Sequence, residues 1–251
     1  MEETNVVDQK ETFADLGISP KLLEIIQNLH YTVPTLIQRK AIPVAVEGKD
    51  VVGIAQTGTG KTLAFAVPML QRLMALKGTI GLIVVPTREL AAQVEETFIK
   101  VGRSLNLKTA LLIGGASMGM QISAIRRGPQ VIVGTPGRIN DHLGQKTLSV
   151  ANVSILVLDE ADHMFDMGFL PQIKDIIRMI PSERQTMLFS ATMPQEIFTL
   201  ATKHMKSPLR IEIARAGTIA EGLDQELFVV TKDQKNRLLE KLLIDYKGSV
   251  L

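Results

Sequence analysis

AQTGTGKT, residues 55–62, lies between the apolar run Val51-Val52-Gly53-Ile54 and a helical pattern over residues 63–76. Strand, glycine-rich loop and helix in that order are the context in which a G-x-x-x-x-G-K-[ST] pattern becomes a phosphate-binding device. Gly58 and Gly60 let backbone N–H groups turn toward a phosphate with no Cβ in the way, and the helix that follows adds the favourable end of its dipole. Thr57 and Thr59 complete the loop. Lys61 supplies a positive charge for the β- and γ-phosphates and Thr62 a hydroxyl for Mg²⁺. Ala55 replaces the first glycine of the pattern, a mild departure because the phosphate-facing glycines remain.

Working outward, the 251 residues, 45% of them hydrophobic, suffice for a real core. A net charge of +2, from 28 basic and 26 acidic side chains, neither demands nor excludes nucleic acid. Without cysteine there is neither a disulfide framework nor a thiolate metal site, and His30, His142, His163 and His204 lack ligand spacing. No apolar run reaches membrane-spanning length, and residues 1–12 are polar and acidic, unlike a signal peptide. The expectation is a soluble cytoplasmic monomer with a flexible lead over residues 1–12.

Upstream of the loop, helices are expected from Ser19-Pro20 to residue 29 and over residues 35–46. Downstream, short apolar strands over residues 81–85, 109–113, 130–133, 155–158, 186–189 and 209–213 alternate with helical patterns. That alternation reads as an α/β fold with a mainly parallel sheet covered on both faces. Ligands in such sheets bind beyond the carboxyl ends of the strands, so the loops there carry the chemistry.

Asp159-Glu160 follows the strand at 155–158. Asp159 can hold Mg²⁺ and Glu160 can orient or deprotonate a water; the duller role is two acids favouring a helix N-terminus. Pro86-Thr87-Arg88 follows 81–85. Thr87 can cap a helix, and Arg88 stands where the helix dipole disfavours a cation, so it calls for an anionic ligand or a salt bridge to Glu89 or another acid. Gly114-Gly115 follows 109–113 and permits close backbone approach. Thr135-Pro136-Gly137-Arg138 follows 130–133, and its helix start with Arg138 could grip a phosphate. Ser190-Ala191-Thr192 follows 186–189 and reads locally as a cap for a helix near Pro194. The apolar residues Met164, Phe165, Met167 and Phe169 read as core packing.

Taken in order, AQTGTGKT, PTRELAAQ, GG, TPGR, DEAD and SAT resemble the DEAD-box RNA helicases over about residues 13–213. Residues 31–38, YTVPTLIQ, resemble that family's adenine-reading Q motif, which assigns the base edge to Gln38 with Thr35 in support and the base face to Phe13. The family has Gly where this chain has His30, so a local turn adjustment is expected. The resemblance implies a RecA-like P-loop NTPase, a three-layer sandwich over residues 13–215. ATP would be bound by Phe13, Thr35, Gln38, Thr57, Gly58, Thr59, Gly60, Lys61 and Thr62, Mg²⁺ by Thr62 and Asp159, with Lys61, Asp159 and Glu160 catalytic. Pro86, Thr87, Arg88, Gly114, Gly115, Thr135, Pro136, Gly137 and Arg138 would hold an RNA backbone with weak sequence preference, and Ser190 and Thr192 would couple ATP state to unwinding.

No H-R-x-G-R-x-x-R run of the family's second RecA-like domain occurs in these 251 residues. Residues 216–251 read as a linker and the truncated start of that domain, with a strand at 226–230 and a helix at 232–246. The resemblance therefore implies a fragment that binds nucleotide and hydrolyses it poorly until the missing domain contributes an arginine. An ATP-responsive RNA clamp without unwinding is the alternative; a DNA-directed NTPase or small-molecule kinase fits the Q motif and TPGR less well. If Gln38 reads adenine, Gln38→Ala should erode the preference for ATP over GTP in a competition binding assay. Equal binding of both nucleotides by the unsubstituted chain would refute the assignment.

Overall fold

The computed structural model describes residues 12–213, 226 and 228–246. These fall into two compact units, one within residues 1–216 and one within 217–251. Residues 1–11 of the expected lead over 1–12, and residues 216–225, 227 and 247–251 of the expected linker and domain start over 216–251, lie outside the described residues.

The first unit is built on seven strands: β1 (Val51–Ile54), β2 (Ile80–Val84), β3 (Thr109–Leu112), β4 (Val131–Gly134), β5 (Val153–Leu158), β6 (Gln185–Ser190) and β7 (Leu209–Glu212). They lie in the order β3-β4-β2-β5-β6-β1-β7, and every pairing is parallel. Each expected strand of this unit forms within two residues of its sequence position. The helices are α1 (Pro20–Asn28), α2 (Leu36–Val46), α3 (Lys61–Ala75), α4 (Arg88–Gly102), α5 (Met118–Arg126), α6 (Pro136–Gly144), α7 (Ala161–Asp166), α8 (Leu170–Met179) and α9 (Gln195–His204). A short 3-10 helix, Phe13–Leu16, precedes them.

Strand side chains alternate between two cores, as a period of two requires. On β5, Ile155 and Val157 join the cluster that includes α1 to α4, while Leu156 and Leu158 join the cluster that includes α6 to α9. The first core is centred on Phe65, with Phe189 and Phe98 at ring-centroid distances of 5.5 Å and 6.3 Å. Gly53 of β1 has to be glycine here, because a Cβ would come within 2.6 Å of the Phe189 ring. Helix, sheet and helix therefore make the three layers that the sequence led us to expect.

The amino-terminal edge of the sheet is tied by side chains. Asp50, 4% exposed, accepts the Thr186 N–H on Oδ1 and the Lys206 N–H on Oδ2, both at 2.7 Å. Gln185 donates Nε2 to the carbonyls of Ala45 and Lys49, both at 2.8 Å.

In the second unit, α10 (Lys235–Asp245) follows a 3-10 turn, Lys232–Gln234. Tyr246 Oη donates to Glu226 Oε2 at 2.7 Å. The strand expected at 226–230 does not form among the described residues. A strand needs a neighbour to take its N–H and C=O groups, and Val229 is 92% exposed.

Asp50→Ala should cost about 3 kcal/mol, since it strands two buried backbone donors that a carboxylate now accepts. Urea denaturation of the two proteins measures this, and a loss below about 1 kcal/mol would show that water replaces the carboxylate.

Candidate functional site

Because all seven strands run one way, the loops after β1, β5 and β6 gather at one edge. The loop after β1 turns on Gly58 and Gly60, with φ of +83° and +91°, a region L side chains rarely adopt. Gly60 also caps α3. Lys61 is 6% exposed and donates Nζ to its own loop, to Ala55 O at 3.0 Å. Thr59 Oγ1 likewise donates to Gln56 O at 2.7 Å. Thr62 is half-buried in the first turn of α3.

Asp159 faces that loop and is 2% exposed. Burial pushes its carboxyl up to about 6, while the Lys61 charge pulls it back. Glu160 adopts φ +52°, a strained conformation for a side-chain-bearing residue. Its Oε1 lies 3.5 Å from Thr57 Oγ1.

Ser190 and Thr192 join this centre through a residue that the sequence reading had left unassigned. Asp162 donates its N–H to Ser190 Oγ at 3.0 Å, and its Oδ2 accepts Thr192 N–H at 2.8 Å and Thr192 Oγ1 at 2.9 Å. Partial burial would raise the Asp162 carboxyl, but these bonds hold it below the usual carboxylate range. The Ser190 carbonyl accepts Ala55 N–H at 2.9 Å. Ser190 and Thr192 are thus clasps between loops; the cap of α9 is Pro194.

Gln38 is 5% exposed. Its Oε1 accepts Thr35 N–H at 2.9 Å, and its Nε2 donates to Gly60 O at 3.0 Å. Each atom keeps one further hydrogen-bonding position for a ligand. Phe13 is the exception among the expected nucleotide residues. Its ring is 3% exposed and belongs to the first core, with the 3-10 helix against α2, so it offers a base no free face without turning out. His30 takes φ +62°. The turn there is not adjusted to the loss of glycine; histidine adopts the left-handed conformation itself.

The loops after β2, β3 and β4 form a neighbouring groove of about 500 Å³, with Pro86, Thr87, Arg88, Gly114, Thr135, Gly137 and Arg138 among its lining residues. Thr87 Oγ1 accepts Leu90 N–H at 3.2 Å and so caps α4. Arg88 is exposed, and none of the described acids pairs with it, Glu89 included. Its guanidinium lies against Gly114 and Gly115, and at Gly115, φ +78°, any Cβ would collide with it. Pro136 opens α6 from Thr135. Arg138 donates Nη1 to Ala116 O at 3.1 Å, and its Nε stands 3.5 Å from Asp141 Oδ2.

The chain's residues 35–200 match the family model described as DEAD/DEAH box helicase. The chain belongs to that family. ATP-dependent rRNA helicase RRP3 of Debaryomyces hansenii is 43% identical over 240 residues, covering 95% of this chain and 50% of the relative. DEAD-box ATP-dependent RNA helicase CshA of Bacillus cereus is 41% identical over 233 residues, covering 92% of this chain and 44% of the relative. The chain thus spans about half the length of these curated relatives. A DEAD box protein from the hyperthermophile Methanococcus jannaschii superposes with a TM-score of 0.77 at 36% identity, covering 92% of this chain and 63% of the other.

Within this DEAD-box chain two further groups shape the groove. Met167, 47% exposed, and Phe169 line it. Of the HMFDMGF run read as core, Met164 is buried at 0% exposure. Gln121 and His142 sit behind the loops: Gln121 Nε2 donates to Ile113 O at 2.9 Å, and its Oε1 stands 3.0 Å from His142 Nε2. Since Nε2 of Gln121 faces a carbonyl, Oε1 faces histidine and His142 carries its proton on Nε2. Nδ1 then accepts from Thr147 Oγ1 at 2.8 Å. The spacing of Gln121 and His142 gave no sign of this pairing.

Burial, aided by the Arg138 charge, holds the His142 imidazole below its ordinary value. Above about pH 6.5 neither folded nor unfolded protein protonates it. As pH falls below that value the unfolded chain takes up the proton first, so stability is lost through the window between 6.5 and the lower folded value. His142→Gln should therefore show a flatter fall in Tm between pH 7 and pH 5.5 than the unsubstituted chain, and parallel curves would exclude His142 as a titrating group.

Proposed function

We propose that this chain is the ATP-binding half of a DEAD-box RNA helicase, coupling Mg-ATP binding and hydrolysis to RNA binding and local unwinding. The observation that carries the reading is a buried lysine close enough to a buried aspartate at the carboxyl edge to pull its carboxyl down, beside a groove whose Arg88 is exposed and has no acid partner among the described residues. A lysine 6% exposed whose ammonium has only a loop carbonyl to bond is suited to a polyphosphate. Gly58 and Gly60 leave the loop open to backbone approach.

The residues fit a divalent cation as well. Thr62, in the first turn of α3, and Asp159, after β5, offer hard oxygen donors, and Mg²⁺ held there would neutralise charge on the phosphate oxygens. Lys61 would leave Ala55 O for the β- and γ-phosphates. Glu160 would orient or deprotonate the attacking water. Thr35 and Gln38 would receive the adenine edge, with Thr57 and Thr59 along the phosphates and Phe13 holding α2 from the core side.

Asp162, Ser190 and Thr192 would couple the two activities, since a shift of the loop after β5 must move the loop after β6 through three hydrogen bonds. Arg88 and Arg138, the glycines at 114, 115 and 137, and the turns at Pro86-Thr87 and Thr135-Pro136 would take the phosphodiester backbone. Contacts of that kind position RNA without reading its sequence. A second RecA-like domain would supply the arginine that stabilises phosphoryl transfer.

Lys61→Ala should abolish ATP binding and leave the circular dichroism spectrum intact. ATPase assays with and without single-stranded RNA complete the test. Nucleotide binding with little RNA-stimulated turnover is expected of this chain. Unchanged ATP affinity in Lys61→Ala would overturn the phosphate-loop assignment.

A further inference from the structure

The amino-terminal edge of the sheet, opposite the loops that follow the strands, holds a cavity of about 650 Å³. It lies where β1, β5 and β6 begin, and its lining includes Gly48, Arg72, Ser154, Arg184 and Gln185. Four buried side-chain polar atoms without a hydrogen-bond partner among the described residues belong to that lining: Arg72 Nε, Ser154 Oγ, Arg184 Nε and Gln185 Oε1. Native interiors leave few such atoms, and a cluster of them calls for an explanation.

The cavity's own acids do not answer Arg72. Both Asp50 oxygens are committed to backbone N–H groups, of Thr186 and Lys206. Glu183 is held by Lys206 Nζ at 2.6 Å with its side chain 86% exposed. Arg184 spends its terminal nitrogens on the carbonyls of Pro181 and His204. Arg72 has no hydrogen bond or ion pair to any described residue, and burial lowers its affinity for the proton. Its guanidinium lies directly over Gly48, φ +86°, where any Cβ would occupy the same space.

The one orphan acceptor narrows the ligand. Gln185 is 3% exposed, and its Nε2 faces two carbonyls, so the amide cannot be flipped and Oε1 must look for a donor. Arg72, Arg184 and Ser154 carry the unmatched N–H and O–H donors of this lining, and an anion is the ligand that such donors suit. An anion that also carries a proton satisfies both halves. Hydrogen phosphate, and a phosphate monoester in its monoanionic form, accept on P–O and donate from P–OH; sulfate and carboxylates only accept.

We propose that this cavity is a second anion site, remote from the nucleotide loops, which takes a phosphate group through Arg72, Ser154 and Arg184 with Gln185 accepting its P–OH proton. The inference stands independently of the helicase reading.

Isothermal titration calorimetry on the full chain carrying Lys61→Ala, which removes the loop after β1 as a competing phosphate site, tests it with inorganic phosphate and with glycerol 3-phosphate. Saturable binding of either is expected, weakened about tenfold or more by Arg72→Gln, as loss of a charge-assisted contact requires. Whichever binds more tightly identifies whether free phosphate or a monoester is the occupant. Ser154→Ala, which removes one hydroxyl from a half-buried residue, should also weaken it and covers the case in which Arg72→Gln unfolds. No binding of either probe, or binding untouched by both substitutions, would overturn the site. Sulfate binding as tightly as phosphate would overturn the role given to Gln185.

Discussion

A parallel sheet imposes one constraint from which most of this molecule follows: every strand delivers its chain to the same edge. Seven strands in the order β3-β4-β2-β5-β6-β1-β7 put the loops after β6, β1 and β5 close together and those after β3, β4 and β2 beside them. The division of the edge into a lysine–aspartate centre and an arginine-lined groove is thus already contained in the strand order. β5 is the hinge of that arrangement, hydrogen-bonded to β6 on one side and β2 on the other. Asp159 leaves it with its own N–H bonded to Val84 O, so the aspartate's place is fixed from the groove side as well.

Much of this was legible because period and punctuation agree. Continuous apolar runs ended by Gly, Pro or acids can be little else than buried strands, and all seven of the first unit were found within two residues. Side-chain partnerships were harder. Asp162 accepts from Thr192 across thirty residues of sequence, and Gln121 meets His142 across twenty-one; neither pairing follows from local spacing. Phe165 and Phe169 pack against the second core as read, but beside the tight turn at Gly168, φ +76°, Met167 is exposed in the groove, which Phe169 also lines. The strand expected at 226–230 shows the reverse failure. Its composition suits a strand, but hydrogen-bonding partners are a property of neighbours and not of the segment.

The two edges of the sheet are held by different means. At the carboxyl edge, backbone geometry does the shaping: glycines at positive φ, helix starts, and Glu160 in a conformation that costs on the order of 1 kcal/mol. At the amino edge, long side chains of Asp50, Gln185 and Arg184 bridge the strand starts. Strain and spare hydrogen-bonding capacity at the carboxyl edge accord with a surface that changes when it binds. The bridges at the other edge accord with one that does not, which makes the unpaired Arg72 and Gln185 Oε1 there the more unusual.

Gln38 bears on how such a surface could sense what it holds. Its amide is clamped between Thr35 N–H and Gly60 O, and Gly60 is the residue at which the loop becomes α3. The amide packs close over Gly60, where a Cβ would strike it, and its hydrogen bond to Gly60 O ties the two together. Any ligand that bonds the outer face of the Gln38 amide therefore acts on the residue preceding Lys61. On the proposed reading, in which Gln38 takes the base edge, base identity and phosphate grip would be one mechanical event, whereas an amide free of the loop would only add affinity. On the same reading, a base that fits badly would pull Gln38 away from Gly60 O, and the left-handed turn that presents the loop would lose the side-chain bond that Gln38 makes to its carbonyl.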